Sequence, residues 1–323
     1  MTEKENVLSV FRHEIPQWLP RFEFCIHNYF PKQINERPLV TEGDDWFGIH
    51  WIPDAKTNGL TVPAHGQKII RDIENWREEL ILPDLDAIDW EAERARFREG
   101  RDWDRLSVFL MEMGIFERYQ LLLGFEDALC SFYEYPDETE EILETLTQFK
   151  IDLIDRIMTY LKPDAILYMD DIGTQKGPLI SPDIWREFIF EKDRRIFRTI
   201  RSHGALSIYH SCGKIDTFFD QVLELEADAY HPLQPCNDLA LMKQICGSRA
   251  VLVGGVDNQG VTNQPGATDA VIRAEVRHAI DLLAPGGGYI CCDSDGVCVD
   301  KKILSVIQDE YEVYGRNFYQ RMN

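Results

Sequence analysis

The order of apolar runs and amphipathic segments in this chain predicts an α/β fold: a (β/α)8 TIM barrel over residues 1–323 as a single domain, with an irregular N-terminal insertion over the mouth. Three observations carry that reading. Eight short runs rich in β-branched or aromatic residues recur along the chain, helical periodicity follows most of them, and 323 residues suit eight such units.

The runs are "WLPRFEF" (18–24), a weaker "FGIHWI" (47–52), "LSVFLME" (106–112), "AILYMD" (165–170), "LSIYHS" (206–211), "DAYHPL" (228–233), "AVLVGG" (250–255) and "GYICC" (288–292). "AILYM" and "AVLVG" lack polar alternation, as parallel strands covered on both faces do. Between them lie helices with readable ends. The segment from Ser181 opens on a serine N-cap with Pro182 at the first helical position, buries Trp185, Phe188, Ile189, Ile196 and Ile200, and stops at Gly204. Residues 136–161 carry acids in their first turn and align Ile142, Leu146, Phe149, Leu153 and Ile157 on one face. Right-handed strand–helix–strand crossovers then give a parallel sheet, closed as a barrel or, as the runner-up, open and doubly wound. The acidic, aromatic stretch 40–105 is long and irregular enough to be the insertion, and Trp46, Phe47 and Trp51 within it are candidates to line a pocket.

Composition narrows the partners. With 34 Lys+Arg against 56 Asp+Glu the formal net charge is −22, which repels phosphate backbones and anionic headgroups, so nucleic acid and membrane surfaces are not expected partners. No stretch approaches the roughly 18 apolar residues of a membrane span, and the charged N-terminal residues do not read as a secretion signal, so the expected location is cytoplasmic. Eight cysteines without a CxxC pair point to reduced thiols, some of them candidate metal ligands.

In a (β/α)8 barrel the working groups stand at the carboxyl ends of the strands. Here those ends carry Asp170 and Asp171, His210 with Cys212, His231, Asp257, and the run from Cys292 to Asp295. Asp170, Asp171 and Asp257 are the candidate catalytic acids. His231, Glu112 and Trp46 are the candidate substrate contacts, Glu112 reaching in from the end of the third strand. Residues i and i+2 of a strand point to the same side, so His210 and Cys212 can converge on one ion, and zinc suits an imidazole with a thiolate. A buried thiol beside a histidine bonded to backbone satisfies the same two residues.

Several spans in order, "GIFERYQLLLGFEDAL", "MDDIGTQKGPLISPDIWREFI", "YHSCGKIDTFFDQVLELEADAYHPLQP", "LVGGVDNQG" and "GGGYICCDSDGV", resemble the uroporphyrinogen decarboxylase superfamily and, within it, the corrinoid-dependent methyltransferases. The resemblance implies a (β/α)8 barrel. The decarboxylases hold a polycarboxylate tetrapyrrole with an arginine-rich first strand, whereas this chain has Arg21 alone in that region. The zinc methyltransferases use His-x-Cys after the fifth strand, matched by His210 and Cys212, and a distant cysteine after the eighth. At that third position this chain places Asp295, with Cys292 as a competing ligand.

The resemblance therefore implies a zinc site of His210, Cys212 and Asp295, and a corrinoid (cobalamin) cofactor carried by a partner corrinoid protein. It implies methyl transfer between a small methylated substrate and the corrinoid cobalt. A carboxylate donates less electron density to zinc than a thiolate, which favours an oxygen leaving group and hence O-demethylation of a methyl ether. The alternatives are a decarboxylase-like lyase, a methylcobalamin:thiol methyltransferase, or a barrel that binds a small metabolite without turnover.

Overall fold

Seven strands hydrogen-bond side by side, all parallel, in the order β1 (Ile26–Tyr29), β5 (Leu106–Met111), β6 (Ala165–Met169), β7 (Leu206–His210), β8 (Ala229–Leu233), β9 (Val251–Gly255) and β10 (Tyr289–Cys292). The computed structural model describes residues 1–55, 59–293 and 300–322. The two edges of this sheet meet through the chain just ahead of β1. Arg21 bridges Cys291 in parallel, and the Cys291 amide donates to the Pro20 carbonyl at 3.0 Å, so the sheet curls into a ring.

Alternation along each strand makes two cores. Leu106, Val108, Ala165, Leu167, Ile208, Ala229, Val251, Val253, Ile290 and Cys292 face inward, where Val7 and Val10 of the helix Glu3–Phe11 join them. Phe109, Ile166, Tyr168, Tyr209, Tyr230, Leu252 and Tyr289 face outward against helices such as Pro136–Tyr160, Phe190–Ser202 and Asp269–Leu283. Strands covered on both faces need no polar alternation, which is why their sequences read as continuous apolar runs.

Two of the eight predicted strands move. The segment 18–24 is not a barrel strand: Phe22–Cys25 forms a single helical turn and the paired strand starts at Ile26. Residues 47–52 do not enter the ring either. His50–Pro53 (β3) pairs antiparallel with Gly43–Asp44 (β2) and Thr61–Pro63 (β4), forming a separate small sheet. The insertion thus contains its own β structure, and it is tied down at the carboxyl end of β5. Ile49 and Trp51 pack on Met113, while Arg118, fully buried, pairs with Asp45 at 2.6 Å and donates to the Glu36 carbonyl at 2.9 Å. Among the described residues no helix is long and apolar enough to cross a membrane.

Candidate functional site

The inward-facing register defines the site. Continuing the inner face of β6 (165, 167) past its end reaches Asp171, that of β7 (208) reaches His210 and Cys212, and that of β8 (229) reaches His231. The parallel pairing sets Met169 beside His210 and His210 beside His231 in one row. Asp171, His210 and Cys212 come together with one ligand atom from each within 4.8 Å of the others. Cys212 Sγ lies 3.4 Å from His210 Nε2, which lies 3.5 Å from Asp171 Oδ1, and that oxygen accepts the Cys212 amide at 2.7 Å.

Two glycines make this convergence possible. Gly213 has φ +93°, and a Cβ there would fall 2.3 Å from the Gly173 carbonyl carbon, so the loops after β6 and β7 touch backbone to backbone. The Lys214 amide then donates to the Thr174 carbonyl at 2.7 Å and locks the two loops together.

These donors fit a zinc ion. Nitrogen and oxygen at about 2.0 Å and sulfur at about 2.3 Å from a tetrahedral ion stand about 3.3 to 3.5 Å apart, close to the 3.4 Å and 3.5 Å that separate His210 Nε2 from Cys212 Sγ and from Asp171 Oδ1. Imidazole, thiolate and carboxylate is a donor set that zinc accepts. The Asp171 side chain is 35% exposed, against 8% for His210, so the cluster is open on the Asp171 side and closed behind the imidazole.

Behind His210, His231 is almost completely buried and its Nδ1 faces His210 Nδ1 at 2.8 Å. Phe22 stacks on its ring at 4.9 Å between centroids. His231 Nε2 lies 3.9 Å from Cys292 Sγ, which donates to Glu23 Oε1 at 3.4 Å. Glu23 in turn pairs with Arg21 at 2.9 Å, and Arg21 with Asp293 at 2.8 Å. Burial first, then repulsion from the charge that the neighbouring His210 would carry, holds the His231 imidazolium well below the ordinary range. Burial, reinforced by Asp293 and opposed by Arg21, pushes the Glu23 carboxyl up to about 8.

The remaining predicted residues lie elsewhere. Asp170 is wholly buried, and its carboxylate accepts the amides of Phe116 at 3.1 Å and Glu117 at 2.8 Å, so it caps the helix Ile115–Leu123 from a neighbouring strand. Asp257 accepts the Gly260 amide and lines a cavity of about 160 Å³ with Gln175, Gln234 and Asn258. Trp46 packs edge-on against Phe47 and Phe149, in the outer core. Glu112, just past the end of β5, lies beside Glu36 and Arg37 in a separate small cavity, and burial pushes its carboxyl up to about 7. Asp295 lies outside the described residues.

Sequence reasoning passed over Glu117 and Glu23. Burial, then the charges of Asp171 and Asp170, drives the Glu117 carboxyl well above the carboxylate range. Its signal was present as an acid in the first turn of the helix that follows β5, a position next to the rim.

A barrel with His-x-Cys on the inner face of β7 defines a class, and comparison with known proteins places the chain in it. The uroporphyrinogen decarboxylase (URO-D) family model matches residues 114–306, and the chain belongs to this family. The methylcobamide:CoM methyltransferase MtaA of Methanosarcina barkeri is 29% identical over 156 residues, 47% of this chain and 44% of that protein. The match thus spans less than half the length of that curated relative. A solved methyltransferase from Methanosarcina mazei superposes with a TM-score of 0.73 over 97% of this chain and 99% of its own, at 15% identity, a likeness of fold.

Proposed function

We propose that the chain is a zinc-dependent methyltransferase that moves a methyl group between a small methylated substrate, a methyl ether in the favoured case, and the cobalt of a partner corrinoid protein. The observation that carries this reading is the Asp171, His210 and Cys212 cluster on the inner face of the rim. The similarity of the chain to a methylcobamide:CoM methyltransferase supports it.

His210 and Cys212 hold the metal in this reading, and a carboxylate completes the donor set, from Asp171 in the described structure or from Asp295. A bound zinc supplies Lewis acidity toward the leaving oxygen. A reduced corrinoid cobalt presented by the partner would supply the electron pair that takes up the methyl group, the leaving oxygen would keep the pair of the methyl–oxygen bond, and His210, Cys212 and the carboxylate would hold the zinc that stabilises that oxygen. The rim residues would orient the ether for in-line displacement. A carboxylate in place of a second thiolate keeps the ion a stronger Lewis acid, which favours the oxygen substrate over thiol methylation.

The test combines metal analysis with spectroscopy. About one zinc per chain is expected after mild dialysis, as a three-ligand catalytic site holds. With reduced corrinoid protein and a methyl aryl ether, the Co(I) spectrum should give way to methyl-Co(III). A metal-free preparation, or an unchanged spectrum across a broad donor panel in both directions, overturns the proposal.

A further inference from the structure

We infer that His231 is a positioning residue that fixes the tautomer of His210, holding the His210 proton on Nδ1 so that the Nε2 lone pair faces Cys212 and Asp171. The function given to this tautomer rests on the zinc reading; the hydrogen-bond order itself does not.

Two facing Nδ1 atoms at 2.8 Å can bond only if one of them carries the proton. The direction is set from the far end of the chain of contacts. Cys292 has one S–H, and it points to Glu23 Oε1 at 3.4 Å. The sulfur therefore turns its lone pairs to His231 Nε2 at 3.9 Å, which makes Nε2 the protonated nitrogen of His231. Its Nδ1 is then an acceptor, and His210 Nδ1–H is the donor. Every hydrogen bond from His210 through His231 and Cys292 to Glu23 runs the same way. In the opposite order, the His210 proton sits on Nε2, between Cys212 and Asp171, where a metal ion has to enter. A ligating histidine generally has its second nitrogen fixed by a carboxylate or carbonyl. Here a second imidazole takes that place, in contact with Phe22 at 4.9 Å and with His210 at 4.8 Å between ring centroids.

The test reads the proton directly. Long-range nitrogen–proton NMR on the metal-free protein, with labelled histidine, distinguishes the two neutral tautomers, and His210 should show Nδ1–H. Chelator competition should show zinc affinity reduced about 10- to 100-fold in His231→Leu, with His231→Gln, which keeps an acceptor oxygen, restoring most of it. An Nε2–H tautomer for His210 in the wild-type protein overturns the inference, as does unchanged zinc affinity in a folded His231→Leu. Should neither variant fold, the wild-type spectrum decides. An Nδ1–H tautomer in a protein that takes up no zinc sustains the hydrogen-bond order and removes the zinc reading instead.

Discussion

The Asp171 carboxylate accepts the Cys212 amide at 2.7 Å, so one side chain both splices the loop after β6 to the end of β7 and turns toward the His210 imidazole. A group placed this way has two separable roles, and substitution distinguishes them. Asp171→Asn keeps a carbonyl oxygen for the amide but loses the charge, whereas Asp171→Ala loses both. If Asp171 is the carboxylate donor, zinc affinity by chelator competition falls at least about 100-fold in Asp171→Ala and by less in Asp171→Asn, while Asp295→Ala keeps its metal. The reverse pattern, an empty site in Asp295→Ala and a full one in Asp171→Ala, assigns the donor to Asp295.

Gly213 supplies a second prediction. Its φ of +93° and the 2.3 Å approach of a virtual Cβ to Gly173 leave an alanine there both strained and overlapping with backbone. Gly213→Ala should cost about 1 to 3 kcal/mol in urea denaturation and weaken zinc binding, because the loops that bring Asp171 to Cys212 are forced apart. Gly177→Ala, where a Cβ meets nothing within 4 Å, is the control and should change neither.

How much of this was legible in the sequence follows from what each signal depends on. The inner-face convergence of His210 and Cys212 follows from strand periodicity, and the continuous apolar runs marked six of the seven ring strands. β1 was displaced because Phe22 and Phe24 look like strand residues, yet the chain turns helically there before pairing at Ile26. The run 47–52 has the same composition as a barrel strand, and nothing local shows that its partners are Gly43–Asp44 and Thr61–Pro63. At the site, Asp170 and Asp171 are adjacent in sequence but point to opposite faces of β6. One meets the helix Ile115–Leu123 and the other the rim, a difference decided by alternation and by which helix packs outside. The relay from His231 to Glu23 joins residues more than 200 positions apart, so only the closed ring reveals it.

Burial of carboxyls predicts a pH dependence of stability. Burial, with Glu36 adding to it and Arg37 opposing, pushes Glu112 up to about 7. The folded state then binds this proton more tightly than the unfolded state, whose carboxyl titrates at about 4.3. The Glu112 contribution to stability is therefore complete below that unfolded value and is lost as pH rises through about 7. Glu112→Gln should flatten the decline of stability between these limits by up to one bound proton, measured as the slope of urea-denaturation free energy against pH. Asp170, also raised to about 7, and Glu23, raised to about 8, act in the same direction, so the variant keeps part of the decline. Parallel curves for the variant and the wild-type protein refute the assignment.

Arg21 separates the methyltransferase reading from the decarboxylase one. A decarboxylase of this family has to hold several substrate carboxylates, yet here the lone arginine of the region is buried and already engaged by two acids, Glu23 at 2.9 Å and Asp293 at 2.8 Å. A substrate carboxylate at this place would have to displace one paired acid and would face the other unpaired, which is costly in a buried setting. The expected result is that an anaerobic assay with uroporphyrinogen yields no coproporphyrinogen, and its detection would restore the decarboxylase. The same geometry makes Arg21 a stability determinant. Arg21→Met leaves Glu23 and Asp293 facing each other without a cation, so it should destabilise the fold by about 3 to 5 kcal/mol in urea denaturation. The triple change Arg21→Met, Glu23→Gln and Asp293→Asn, which removes the charges together, should recover a large part of that loss. If the single variant is as stable as the wild-type protein, Arg21 is not committed to these acids, and the argument against an anionic substrate falls with it.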